Sequence, residues 1–141
     1  MKYYNEEWVN NCMEFNKQGK GKEYFEYSKK YNPQWYHEFS FHDSRIISVD
    51  KEENYMKLNL EYDDYKHTKY QLVFYNPQVL EECNLENTWW LVDELYQTDN
   101  GCEFHFLVDD FNSGNRVLGF YTLNCSRIEL LFENQKYFVG K

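Results

Sequence analysis

The chain has 141 residues, of which 42% are apolar and 21% aromatic, and its formal net charge is -9 at pH 7. A chain of this size and apolar content can bury a core without a metal or a disulfide, and its aromatic share argues against disorder. The negative charge argues against binding to a phosphate backbone and favours encounter with a basic protein partner.

The N-terminal third predicts two helices. Three residues recur at i, i+4 and i+7 and share one face of the first helix: Trp8, Cys12 and Phe15. A second helix is predicted over residues 22–30 and ends before Pro33, because proline disfavours helical geometry in the residue that precedes it. That helix carries a stripe of tyrosines, namely Tyr24, Tyr27 and Tyr31.

The N-terminal residues lack the apolar core of a signal peptide, and no apolar run approaches the ~20 residues of a membrane span. We therefore expect a cytoplasmic protein without membrane contacts. In the cytosol the four cysteines should be reduced. We expect their side chains to be buried and to pack as small hydrophobic groups. The cysteines are Cys12, Cys83, Cys102 and Cys125.

After residue 35 the apolar period changes from 3.6 to 2, which indicates strands. Residues 55–62 alternate most regularly, with Met56, Leu58 and Leu60 on one face. The other predicted strands cover residues 45–51, 70–75, 88–97, 102–109, 116–123 and 126–132, with a last edge segment at 136–139.

The dipeptide Asn100-Gly101 lies between two aromatic-rich runs and is the strongest hairpin signal in the chain. If these two residues form the loop, His105 faces Tyr96. Four polar side chains then share one face: Glu94, Tyr96, Glu103 and His105. Such a group could bind a metal, but a solvated sheet face is the commoner arrangement, and the histidine spacings match no zinc signature. We expect neither a metal nor another cofactor.

Together these elements predict an α+β fold. A helical N-terminal segment, residues 1–33, precedes an antiparallel meander of about six or seven strands over residues 35–139. No linker, repeat or low-complexity tract interrupts the chain, so residues 1–141 are predicted to form a single domain.

The most distinctive short segment contains His42, Asp43 and Arg45 where the chain enters its first clear strand. One interpretation is a polar site in which His42 titrates near neutral pH, extended by Glu94 and His105. The other is structural, because short polar side chains commonly accept backbone N–H bonds where a strand begins. No catalytic constellation is evident in either case.

Trp89 and Trp90 are adjacent, so in a strand they face opposite sides of the sheet. One ring enters the core, and the other could form a protein interface together with Tyr96, since tryptophan and tyrosine are enriched at interfaces. Alternatively, the N-terminal helices cover that second face and both rings belong to the core.

Four segments, taken in order, resemble an uncharacterised family of small bacterial proteins, a domain of unknown function: FHDSRI, WWLVDELY, CEFHFLV and CSRIELLF. Layouts in which an HDS segment precedes a strand meander also occur among immunity proteins of bacterial toxin systems. The resemblance covers residues 35–132. It implies an antiparallel β-rich fold and transfers no catalytic residue.

Three hypotheses about the function remain open. The first is a non-enzymatic interaction module, such as an immunity-type inhibitor of a basic toxin, because the chain is small and acidic and lacks a catalytic set. The alternative is a small-ligand-binding or hydrolytic domain that uses a His/Asp cluster. A homo-oligomeric module with Trp89 or Trp90 at a symmetric interface is a third hypothesis.

Overall fold

The computed structural model describes residues 2–11, 13 and 17–140. In these residues three helices precede a nine-stranded antiparallel sheet. The helices are α1 (Glu6–Asn10), α2 (Lys20–Tyr31) and α3 (Gln34–Glu38). The strands are β1 (Ser44–Lys51), β2 (Tyr55–Tyr62), β3 (Lys69–Tyr75), β4 (Gln78–Glu81), β5 (Thr88–Thr98), β6 (Gly101–Asp110), β7 (Val117–Cys125), β8 (Arg127–Phe132) and β9 (Gln135–Gly140).

The predicted α+β fold, a helical pair followed by a meander of about six or seven strands, is wrong. The protein is mostly β and only 17% helical. The strand order is β4-β7-β6-β5-β1-β2-β3-β8-β9, so β1 pairs with β5, and β3 pairs with β8. Alternation of apolar and polar residues shows which side chains share a face of a strand, but it does not show which strands pair. The meander was predicted because consecutive strands were assumed to pair.

The helical predictions had mixed outcomes. α2 contains the predicted helix at residues 22–30 and ends before Pro33, as expected. Three residues were predicted to share a face of the first helix. Trp8 lies in α1, whereas Cys12 and Phe15 are outside the described residues. Neither α3 nor β4 was predicted, because both are short and carry no clear apolar period.

The cysteines that the structure describes are free. Cys102 and Cys125 are buried, as predicted, and they face each other across β6 and β7. Cys83 is half-buried, so the prediction was wrong for this residue, which lies in the connection between β4 and β5. Cys12 falls outside the described residues.

The local β predictions are confirmed. Met56, Leu58 and Leu60 of β2 are buried on one face, each at most 2% exposed. β5 and β6 form the predicted hairpin, but Thr98 pairs with Gly101, so the two-residue loop is Asp99-Asn100 and not the predicted Asn100-Gly101. A Cβ atom at Gly101 would lie 2.2 Å from the carbonyl oxygen of Cys125, so the backbones approach too closely there for any side chain.

The sheet curls so that β8 and β9 approach β6. β7 ends at Cys125 and β8 begins at Arg127, so a single residue, Ser126, carries the chain from the β6 side of the sheet to the β3 side. The inner faces pack together, as the 5.5 Å between the rings of Phe74 and Phe104 shows. The aromatic share of the composition therefore fills the inside of a curled sheet.

The helices cover an edge of β5. β1 pairs with β5 through Arg45–Trp89 and Ile46–Thr88, at the start of the strand. Further along β5, side chains of α2 and of the residue after it replace a neighbouring strand as hydrogen-bond partners of the Leu95 backbone. The Asn32 amide donates to the Leu95 oxygen at 2.9 Å, and the Tyr24 hydroxyl accepts from the Leu95 nitrogen at 2.8 Å. Buried backbone groups require such partners, so α2 is held against the place where β1 and β5 separate.

Within the described part of the chain, no helix is both long enough and apolar enough to cross a membrane.

Candidate functional site

A cleft of about 320 Å³ opens where β1 and β5 separate. Its walls come from α2, from α3 with the segment that follows it, and from residues 91–93 of β5. Six of its lining residues are aromatic, namely Tyr4, Tyr24, Phe25, Tyr36, Phe39 and Phe41. We call this feature the Asp93 cleft, because Asp93 is the carboxylate among its described lining residues.

A β-bulge directs Asp93 into the cleft. The register between β5 and β6 shifts between Trp90 and Val92, so Asp93 pairs with Phe106. A bulge inserts one extra residue and thereby exchanges the faces of the residues that follow it. Asp93 therefore shares the inner face with Trp90, whereas regular alternation would have placed Glu94 there.

Asp93 is held by two side-chain donors. The Tyr36 hydroxyl donates to Oδ2, and the Trp90 indole Nε1 donates to Oδ1 at 2.9 Å. Burial raises the pKa of Asp93 from 3.8 to about 6, although these two hydrogen bonds act in the opposite direction. With a pKa of about 6, the Asp93 carboxyl gains a proton at a pH only slightly below neutral.

The hydrogen bonds continue from Asp93 to the backbone of β5. The hydroxyl oxygens of Tyr24 and Tyr36 are 3.3 Å apart. Because the Tyr36 proton points at Asp93 and the Tyr24 oxygen accepts from Leu95, Tyr24 donates to Tyr36. Burial raises the pKa of both tyrosines, so both hydroxyls remain protonated at neutral pH and the chain of donors has one direction.

Glu94 lies on the opposite face of β5, under the N-terminal segment. Its side chain is fully buried, and it accepts hydrogen bonds from the backbone N–H groups of Lys2, Tyr3 and Tyr4 at 2.8–3.2 Å. The Tyr96 hydroxyl donates to it as well. Glu94 therefore anchors the N-terminal segment on the sheet.

The predicted sharing of one face by Glu94, Tyr96, Glu103 and His105 is confirmed by the strand register. Glu94 pairs with His105, and Tyr96 with Glu103, two residues away from the predicted pairing. An even difference in register leaves the faces unchanged. The His105 ring is 2.8 Å from Glu103 and 2.9 Å from the Thr122 hydroxyl, so its nitrogens are engaged by neighbours in the sheet.

The predicted polar site is not brought together. His42 lies beside the Asp93 cleft, where Nδ1 donates to the carbonyl oxygen of Leu91 at 3.0 Å and Nε2 is 3.3 Å from Asp43. Arg45 instead donates to the Asn87 side chain at 3.1 Å. Glu94 and His105 are on the outer face of β5 and β6, away from the cleft.

The predicted interface residues also separate. Trp90 is 1% exposed and stacks on Phe106, with ring centroids 4.4 Å apart. Trp89 is half-buried on the other face. Tyr96 packs against Tyr24 and Tyr27 of α2, with ring centroids 6.0 and 5.1 Å apart.

A second depression, of about 550 Å³, lies on the other side of the segment that follows α3. Four exposed carboxylates line it, and its half-buried rings are those of Phe39, Tyr62 and Phe132. The carboxylates belong to Glu38, Asp43, Asp63 and Asp64. Among the residues described, no lysine or arginine lines this depression. We call it the acidic hollow.

Two loops meet at the acidic hollow. The backbone N–H of Asp63 donates to the carbonyl oxygen of Asp43 at 2.9 Å, which joins the loop after β2 to the turn before β1. Asp43 adopts a positive φ of 66°, a conformation that aspartate tolerates better than most residues. In residues 2–11, 13 and 17–140, no three His, Cys, Asp or Glu side chains are grouped so that they could hold a metal ion.

Sequence reasoning missed Asp93 and its partner Tyr36. The available signal was a carboxylate inside the apolar run that begins at Trp89. That signal is ambiguous because Glu94 is adjacent, and only the bulge decides which of the two carboxylates faces inward.

The chain is similar in sequence to a known family of proteins. The model of a family described as "Protein of unknown function (DUF4085)" matches residues 2–113, a span that contains the Asp93 cleft and all four carboxylates of the acidic hollow. Neither the curated proteins nor the solved structures include a match to the chain. Because the matched span covers most of the sequence, the chain belongs to this family of proteins of unknown function.

Proposed function

We propose that this protein is a non-enzymatic interaction module that binds a basic protein through the acidic hollow. The observation that carries the proposal is the composition of that surface: four exposed carboxylates and three half-buried aromatic rings line it, and no described lysine or arginine does. The formal net charge of -9 supports the same kind of partner.

The physical basis is the combination of charge with an apolar floor. Exposed carboxylates speed the encounter with a basic surface, although each exposed ion pair adds little affinity. Aromatic rings add contact area, and their faces attract lysine and arginine side chains. The acidic hollow offers both kinds of contact, because Tyr62 and Phe132 line it together with the carboxylates.

The biological form that we propose is an immunity-type inhibitor of a basic bacterial toxin, such as a nuclease, in the cytoplasm. A nuclease binds the phosphate backbone of its nucleic-acid substrate through a basic surface. An acidic inhibitor can occupy the same surface, because the inhibitor and the substrate are both negatively charged. The acidic character of this chain and the layout of its HDS segment support this form.

The test begins with co-expression of the protein with the products of neighbouring genes, followed by isolation of a salt-sensitive complex. In the triple variant Asp43→Asn, Asp63→Asn and Asp64→Asn, the dissociation constant should rise at least about tenfold at low salt, because charge steering and contact are both lost. Asparagine tolerates the positive φ at position 43, so the turn should be retained.

The matched control is the triple variant Glu52→Gln, Glu53→Gln and Glu86→Gln, which removes the same charge from exposed residues outside the acidic hollow. We expect a much smaller loss of affinity in this control. Equal losses in both triples would show that net charge alone drives binding and would contradict the proposal, as would the absence of a complex with every neighbouring gene product.

The alternative, a ligand-binding or hydrolytic domain built on a His/Asp cluster, has less support. His42 and Asp43 are largely exposed, at 58% and 76%, and Glu94 and His105 lie on another face. The oligomeric alternative would have to use Trp89, because Trp90 belongs to the core.

A further inference from the structure

We propose that the Asp93 cleft receives one cationic side chain of the basic partner, a lysine ammonium or an arginine guanidinium. The inference rests on the proposed function, because the partner that docks on the acidic hollow would supply this side chain. It adds a second recognition site, with a different chemistry, to the interface.

The two depressions adjoin one another. Phe39, Ser40 and His42 line both the Asp93 cleft and the acidic hollow, so the two share a rim formed by the segment after α3. A protein that covers the acidic hollow therefore lies against the mouth of the cleft. A long side chain at the border of that interface could extend into the cleft.

Asp93 has unused capacity as an acceptor. An ionised carboxylate offers about four acceptor positions, and Asp93 uses one on each oxygen, for Tyr36 and for Trp90. No described lysine or arginine neutralises it, and the neighbouring charge that acts on it is that of Glu94, which is also negative. Asp93 is half-buried, and its partial desolvation is not offset by a counterion, so an incoming cation would gain a charge-assisted bond and relieve this penalty.

The walls of the cleft suit the stem and the charge of such a side chain. Tyr24, Tyr36 and Phe41 present aromatic rings beside Asp93, and aromatic faces attract ammonium and guanidinium groups while their apolar surface accommodates methylene groups. The volume of about 320 Å³ lies at the low end of the roughly 300–1,000 Å³ that is typical of ligand sites. That size fits one side chain better than a bulky cofactor.

The chemistry can be tested without the partner. Butylammonium and ethylguanidinium chlorides reproduce the ends of lysine and arginine, and 1-butanol serves as the uncharged control. The reporter is the NMR signal of the Trp90 indole N–H, which donates to Asp93. We expect both cations to shift this signal saturably, whereas 1-butanol at the same concentration should not.

Three variants separate recognition from folding. Asp93→Asn removes the charge and should weaken binding of both cations at least about tenfold. Tyr36→Phe removes a donor but keeps the carboxylate, so it should still bind the cations. Asp64→Asn changes the acidic hollow alone and should leave the titration of the Trp90 signal unchanged. The remaining signals of each spectrum report whether the variant is folded.

The outcomes distinguish this inference from the proposed function. Absence of a saturable shift, or equal binding to the wild type and to Asp93→Asn, would overturn the cation site whether or not a complex forms. If a complex forms and depends on the acidic hollow, Asp93→Asn should raise its dissociation constant at least about tenfold. An unchanged constant would overturn the insertion of a partner side chain and leave the role of the acidic hollow intact.

Discussion

Asp93 and Glu94 are neighbours in β5, yet their surroundings differ in almost every respect. Glu94 faces outward beneath the N-terminal segment, is fully buried, and accepts bonds from three backbone N–H groups and from Tyr96. Asp93 faces inward, is held by two side chains, and lines an open cleft. The difference arises from a single bulge that precedes both residues.

The comparison suggests how two adjacent carboxylates, one half-buried and one fully buried, can be assigned to different roles. A carboxylate whose acceptor positions are filled by backbone donors is part of the structure, because any change leaves those donors without partners. A carboxylate with spare acceptor positions beside a cleft can bind something else. By this criterion Glu94 is structural and Asp93 is the candidate for ligand binding.

The largest effect should come from Glu94→Gln. The new amide cannot accept all the bonds that the carboxylate accepts, and its NH2 group would face backbone donors. Since hydrogen bonds to a charged group contribute about 1.5–3 kcal/mol each, we expect the free energy of unfolding to fall by about 4 kcal/mol. Urea denaturation measures this value. A loss below about 1 kcal/mol would contradict the anchoring role of Glu94.

The second prediction concerns the pH dependence that Asp93 adds to stability. Because folding raises its pKa from 3.8 to about 6, the folded state binds more protons than the unfolded state between these values. Its contribution is therefore greatest below about pH 4 and is lost as the pH rises through 6. The loss is at most about 3 kcal/mol, since each pKa unit corresponds to 1.36 kcal/mol.

Urea denaturation of the wild type and of Asp93→Asn at several values between pH 4 and pH 7 isolates this contribution, because the other carboxylates are common to both proteins. The wild type should lose stability relative to the variant as the pH rises. If the difference between the two free energies of unfolding stays constant with pH, or changes in the opposite direction, Asp93 is not desolvated in the folded protein.

The smallest effect should come from His42→Ala, at the rim of the cleft. The side chain is 58% exposed, and its described backbone partner is the carbonyl oxygen of Leu91. Water can replace that bond, so the expected decrease in the free energy of unfolding is about 0.5–1 kcal/mol. The same urea assay measures it. A decrease above about 2 kcal/mol would mean that His42 is essential to the edge of β5.

Much of the fold follows from short-range patterns. The shared burial of Met56, Leu58 and Leu60 and the β5–β6 hairpin were both predicted from alternation and from the turn residues near Asn100. The helix α2 was predicted from its tyrosine stripe and from Pro33. β4 and α3 could not be predicted, because they span only four and five residues.

The candidate site was less accessible to sequence reasoning. His42 lies at the rim of the Asp93 cleft, but Arg45, Glu94 and His105 are elsewhere, and Asp93 was not identified. Recognition of Asp93 requires the bulge before Val92, for which the residue types give no signal. It also requires Tyr36, which is 57 positions away in the chain.

The sequence by itself determined the face of each side chain within regular strands and the position of the main hairpin, because these depend on backbone geometry over a few residues. Only the tertiary structure decided that β1 pairs with β5 rather than continuing a meander, and that the two strands then separate to leave an edge for α2. Strand partners are selected by packing of the whole core, so the cleft at that edge has no local signature.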